Sequence, residues 1–176
     1  MGTINSTKSG PVAVVGRGGT MTAQLLRRLL PHPVVELTPC QAALYEGRCE
    51  AVVVENFDLP AGNHGLSGCA AARWELSRRA GVTVVGLDEP EGRRFAAAGG
   101  AGVYAYSDGR PQADLTAKNV RLRGDKLEFE ALAGGELLRV RVPAGEEPRL
   151  YDHLAALAGA LALGVPLKQA AARLEN

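Results

Sequence analysis

The sequence predicts an α/β fold: a doubly wound, mostly parallel sheet of P-loop-like topology, followed by a small antiparallel β meander and C-terminal helices. Three observations carry that expectation. Up to Tyr106, short uninterrupted apolar runs such as Val12–Val15 and Ala51–Val54 alternate with stretches whose apolar residues recur at helical spacing. This is the pattern of strands buried on both faces with helices between them. After Ser107-Asp-Gly-Arg-Pro111 the period switches to two, as in strands with one wet face. From about residue 148 helical spacing returns, with Leu150, Leu154, Leu157 and Leu161 on one face.

Residues 1–10 are small and polar and read as a flexible lead-in to one domain over 11–176. Val12–Val15 is the first strand, and Met21, Leu25, Leu26, Leu29 and Leu30 form the apolar stripe of the helix after it. His32-Pro33 ends that period. Val34–Leu37 is a second strand, and Thr38-Pro39 opens a short helix through Tyr45. Ala51–Val54, Val82–Leu87 and Val103–Tyr106 are further strands. Between them Cys69–Ala80 is expected to be helical, with Trp74 as a packing residue, and another short helix follows Pro90.

Val120–Arg123, Leu127–Glu130 and Leu138–Val142 each alternate apolar with charged residues, with turns at Gly124-Asp125 and Gly134-Gly135. They make an antiparallel subsheet over about 113–142. Its outer face sets Arg121, Arg123, Arg139 and Arg141 against Glu128 and Glu130, leaving a positive surplus that is either a solvated face or a docking patch. The helical tail spans 148–175, with Gly164 as a C-terminal cap and a last short helix after Pro166.

The candidate site is the glycine-rich turn Gly16-Arg17-Gly18-Gly19-Thr20-Met21-Thr22, between the first strand and the first helix. Free N–H groups at such a helix start favour an anion, usually phosphate. A working phosphate loop places a Lys, then a Ser or Thr, where this chain has Thr20 and Met21. Thr carries no charge, and a thioether is a poor ligand for magnesium. A dinucleotide turn fits no better, since Met21 replaces its third glycine. Glu55, at the carboxyl end of the third strand, is a second candidate, because α/β sheets bind ligands there. His64 has no second ligand at metal spacing, so no metal site is expected.

With 20 Lys and Arg against 19 Asp and Glu, the chain has no charge excess that would suggest a nucleic-acid or membrane partner. No apolar run spans a bilayer, and the start lacks a signal peptide's apolar core, so a cytoplasmic location is expected. The three cysteines, Cys40, Cys49 and Cys69, lack paired spacing and read as ordinary thiols.

The order of parts resembles the central, ATP-binding domain of the Mur ligase family, over Val12 to Glu175. Tyr151-Asp-His-Leu-Ala-Ala-Leu-Ala-Gly-Ala-Leu-Ala-Leu-Gly-Val-Pro-Leu167 is similar to the family's Y-N-A-L-A-A-x-A-x-A-L-x-L-G-V-P. Tyr106-Ser107, Ala113-Asp114-Leu115 and Ala117-Lys-Asn-Val120 resemble its passage into a small antiparallel sheet. Ala70-Ala-Ala-Arg73 and Val84-Val-Gly-Leu-Asp-Glu-Pro90 resemble its A-A-K helix and N-x-D-D-P strand end.

The resemblance implies an ancestry in ligases that phosphorylate a carboxylate with ATP and let an amine attack the acyl phosphate. It also implies what has changed. The family's G-T-N-G-K-T-T falls on Gly16–Thr22, so its phosphate-binding Lys and magnesium-binding Thr are replaced. Its modified metal-bridging Lys falls on Arg73, which cannot be carbamylated. The adenine-contacting Asn falls on Gly86 and the G-x-H-N segment on Glu146–Arg149; the chain is shorter than the family around Glu55, with two strands merged into one, so Glu55 either corresponds to a metal-binding Glu or is a surface residue at a strand end.

The expectation is therefore a stand-alone, degenerate central domain, with no catalytic residue and no cofactor required. It would act through binding to a second copy or to another protein, such as a cell-wall enzyme. Two alternatives accompany it: a ligase component that still binds ATP and magnesium at Gly16–Thr22, with Arg17 replacing the missing Lys and a partner supplying the rest, and a nucleotide sensor without turnover.

Overall fold

A computed structural model describes residues 10–16, 21–55, 74–98, 102–145 and 149–175. Eight strands form one sheet in the order β2-β1-β3-β4-β5-β6-β7-β8. They are β1 (Val12–Val15), β2 (Val34–Leu37), β3 (Cys49–Val54), β4 (Ala80–Gly86), β5 (Val103–Ser107), β6 (Leu115–Arg123), β7 (Lys126–Ala133) and β8 (Glu136–Pro143). Pairing is parallel from β2 through to β6 and antiparallel from β6 to β8.

The apolar runs are buried on both sides for a visible reason. Side chains alternate across a strand, so Val12 and Val14 enter one core while Ala13 and Val15 enter the other. Helices α1 (Met21–Leu29), α4 (Leu150–Ala162) and α5 (Leu167–Glu175) cover the first face. Helices α2 (Pro39–Leu44) and α3 (Pro90–Ala97), with a helical segment at 74–78, cover the second through Ala42, Phe95 and Leu76. Full burial of each such Val or Leu stabilises the fold by about 1.5–3 kcal/mol.

Local chemistry sets the helix boundaries. Pro39 starts α2, and Thr38 and Gln41 form a reciprocal capping box, with the Gln41 N–H donating to Thr38 Oγ1 over 3.3 Å and the Thr38 N–H to Gln41 Oε1 over 2.8 Å. Helix α4 is buried almost all round, from His153 to Ala160, as a core helix should be. It ends in a Schellman turn: Gly164 has φ +83°, its N–H donates to Leu161 O over 2.9 Å, and Val165 N–H donates to Ala160 O over 3.0 Å. Arg173 of α5 donates to Leu29 O at the end of α1 over 2.5 Å.

Two expectations change at their edges. The helix expected over 69–80 stops earlier: residues 74–78 are helical, and Ala80 already pairs with Cys49 in the sheet. The backbone groups of 80–86 bond to β3, which removes them from any helix. The first strand of the meander starts at Leu115 and not at Val120, and Leu115 and Thr116 pair in parallel with Tyr106 and Ser107, which joins the antiparallel part to the parallel part. The lead-in expected over 1–10 lies outside the described residues up to residue 9.

Candidate functional site

The carboxyl ends of β1, β3, β4 and β5 converge with the start of α4. Gly16, after β1, donates its N–H to Leu37 O over 3.2 Å, while Glu55, after β3, donates its N–H to Val15 O over 3.1 Å. These bonds set Glu55 directly beside Gly16. A β-carbon at Gly16 would collide with Glu55 Oε2, so the carboxylate lies against the opening of the glycine turn. Arg17, Gly18, Gly19 and Thr20 lie outside the described residues, as do His64, Cys69 and Arg73.

Met21 and Thr22 form the first turn of α1. Thr22 is fully buried, and its hydroxyl donates to Asp152 Oδ1 over 3.1 Å. Arg149 holds the other oxygen of Asp152 at 3.8 Å. Met21 instead lines a groove of about 660 Å³ between α1, the end of β8 and the start of α4, with Gln24, Arg28, Pro143, Arg149 and His153. His153 Nδ1 lies 2.8 Å from Arg149 O. Burial is the main cause that pushes its imidazole pKa below 6.5, so the ring is neutral near pH 7 and donates from Nδ1 to that carbonyl.

A second cluster closes the edge after β4 and β5. Asp88 accepts from Ser107 Oγ over 2.6 Å and from the Asp108 N–H over 3.2 Å, with Arg110 Nε at 3.8 Å. Ser107 Oγ in turn accepts the N–H groups of Gly109 and Arg110 at 3.1 and 2.9 Å. Arg93 straps the turn by donating to the carbonyls of Leu87 and Asp88, each over 2.9 Å. Burial first, then the carboxylates of Glu89, Glu55, Asp152 and Asp88, push the Tyr106 phenol far above its ordinary value. Burial and hydrogen bonding to Asp108 do the same to Tyr151. Both phenols stay protonated and can only donate to this acidic edge.

Asp152 and the Asp88–Ser107 pair belong to the candidate site and were not singled out by sequence reasoning. The signal for Asp152 was its place in Tyr151-Asp152, where the resembling motif has Asn. Among the described residues, no three His, Cys, Asp or Glu side chains gather closely enough to hold a metal ion.

Comparison with solved structures settles the architecture. MurF from Acinetobacter baumannii superposes with a TM-score of 0.78 over 96% of this chain and 46% of that one, at 19% identity. MurF ligase from Thermotoga maritima, solved in complex with ADP, superposes with a TM-score of 0.72 over 93% of this chain and 48% of that one, at 15% identity. The fold is Mur-ligase-like.

Sequence agrees over part of the Mur-ligase-like chain. A stretch of 95 residues, 54% of this chain, is 32% identical to UDP-N-acetylmuramoyl-L-alanyl-D-glutamate--2,6-diaminopimelate ligase of Lactiplantibacillus plantarum, covering 19% of that protein. The chain spans about half the length of the solved Mur ligases it matches. No family profile matches it. Among the described residues, no helix is long and apolar enough to cross a membrane.

Proposed function

We propose that this Mur-ligase-like domain works by binding, without ligation, in a setting related to peptidoglycan metabolism. One observation carries the reading: the Glu55 carboxylate lies against Gly16, at the opening of a turn whose phosphate-binding Lys is replaced by Thr20. A triphosphate needs positive charge at that point, and like charges a few ångströms apart in a partly buried edge repel strongly. Met21, in place of a hydroxyl, offers magnesium no hard ligand. Among the described residues of the turn, the Thr22 hydroxyl is committed to Asp152. These residues do not fit a magnesium-bound nucleotide, so no step of an ATP reaction is derived for them.

On this reading Gly16–Thr22 is a turn kept for its geometry, Arg73 is no metal-bridging group, and no residue is catalytic. The partner is a second copy or another protein, such as a cell-wall enzyme, and the location is cytoplasmic. The fold neighbour solved with ADP supports a second reading, in which the chain is part of an ATP-dependent carboxylate–amine ligase completed by a partner, or a sensor that binds nucleotide without turnover.

Calorimetric and thermal-shift titrations with ATP and ADP, each with and without magnesium, separate these readings. No shift with any of them is expected. A magnesium-dependent shift with ATP, with ADP released on incubation, overturns the binding-only reading in favour of the ligase. A shift without turnover selects the sensor. Glu55→Gln sharpens the result: removing the carboxylate should raise any residual ATP affinity, whereas a Glu55 that ligates metal would lower it.

A further inference from the structure

Strand β6 is nine residues long, yet it pairs with β5 only at Tyr106↔Leu115 and Ser107↔Thr116. From Lys118 to Arg123 the strand is exposed, and no strand lies along its β5 side among the described residues. A strand edge of that kind presents backbone N–H and C=O groups to an incoming chain. Two large apolar side chains stand exposed on the same segment, Val120 at 41% and Leu122 at 58%. The other exposed residues there are Lys118, Asn119, Arg121 and Arg123, with no carboxylate among them. Asn119 has φ +52°, and the register with β7 shifts between Lys118 and Arg121, a bulge that bends this part of the strand away from a flat ladder.

We propose that this edge of β6 takes up an extended acidic segment of a partner protein as an added strand along 118–123. The incoming carboxylates meet Lys118, Arg121 and Arg123, and alternate apolar side chains cover Val120 and Leu122. Backbone pairing supplies affinity and the side-chain pattern supplies specificity, as in other strand additions.

Charge selects the occupant. A second copy pairing through the same segment would set Lys and Arg against Lys and Arg, and like charges opposite one another destabilise a strand pair. The adjoining face neutralises the cations only in part, since Glu130 lies opposite Lys118 and Glu128 opposite Arg121, and both carboxylates have other partners. Glu128 is shared by Arg141 at 3.1 Å and Arg123 at 3.8 Å, and Glu130 by Asn119 at 2.6 Å and Arg139 at 3.7 Å. This inference is independent of the nucleotide reading, because β6 is separated from Gly16 and Glu55 by β4 and β5.

The test is an NMR titration of the isotope-labelled chain with a peptide of about ten residues alternating glutamate and valine, a length that matches the free edge. The counterpart with lysine in place of glutamate and a short oligodeoxythymidylate serve as controls. The expected result is slowed hydrogen exchange at amides within 118–123 with the acidic peptide only, weakened by added salt. Arg121→Glu combined with Arg123→Glu should weaken binding about tenfold or more. Leu122→Ser, a milder change at an exposed position, should weaken it less and guards against misfolding of the double variant. Equal binding of both peptides, protection elsewhere in the chain, self-pairing of 118–123 without peptide, or the same response to the oligonucleotide would each overturn the proposal.

Discussion

The parallel and antiparallel halves belong to one sheet but solve the placement of polar groups in opposite ways. In the parallel half, β1 and β3 are buried on both faces, so polar chemistry is confined to strand ends. There Glu55, Asp88, Asp108 and Asp152 collect. In the antiparallel half one face packs inward through Leu127, Phe129 and Val140, and the other carries Arg and Glu in register, Glu128 opposite Arg141 and Glu130 opposite Arg139. The acidic edge and the basic face therefore follow from how many sides of each strand are covered. One chain thus offers two surfaces of opposite charge at different places on one frame.

The contrast in burial gives the largest predicted effect. Leu157→Ala, in the helix beneath the sheet, should cost about 2–5 kcal/mol in urea unfolding, the range for an enclosed large-to-small change. Leu122→Ala on the open part of β6 should stay within about 0.5 kcal/mol. Equal costs would show that the two halves are covered alike. Next comes Gly92→Ala: its β-carbon would strike the Gly86 carbonyl at the end of β4, and a backbone atom cannot turn aside. A loss of about 1–3 kcal/mol is expected, read as a lower melting temperature. Thr22→Val removes the buried bond to Asp152 and should cost about 0.5–1.5 kcal/mol.

The pH dependence tests the groove beside α1. Burial holds the His153 pKa below the 6.5 of an unfolded chain, with Arg28 adding to the lowering and Asp152 opposing it. Below pH 6.5 the unfolded chain takes up a proton more readily than the folded one. The stabilisation from neutral His153 is therefore complete above that pH and is lost as pH falls through the folded-state value. Stability measured from pH 7.5 to pH 5 should fall less steeply in His153→Gln than in the parent. The smallest effect belongs to the wet face. Glu128→Gln, between two half-exposed arginines, should change stability by about 0.2–1 kcal/mol and less at high salt.

Much of the frame was legible from residue order. The runs Val12–Val15 and Ala51–Val54 marked doubly buried strands because nothing polar interrupts them, and Thr38-Pro39 marked a helix start because both residues act locally on the backbone. The site was less legible. Glu55 was found from its place at a strand end, but its contact with Gly16 depends on β1 and β3 lying side by side. The Thr22–Asp152 bond joins residues 130 apart, and no local pattern reports such a distance. The start of β6 was also hidden, since Leu115-Thr-Ala117 is too short to show a period.

By itself, the sequence determined which segments are strands and helices, where most of them start and stop, and that Thr20 and Met21 stand where a phosphate loop has Lys and a hydroxyl. These follow from side-chain period, cap chemistry and the identity of single residues, all of which act within a few positions along the chain. Only the tertiary structure decided that the strand ends pool their carboxylates, that Glu55 closes on Gly16, and that β6 outruns its neighbour and leaves an edge. Those facts depend on which strands lie beside one another, and that order is set by the packing of two cores at once.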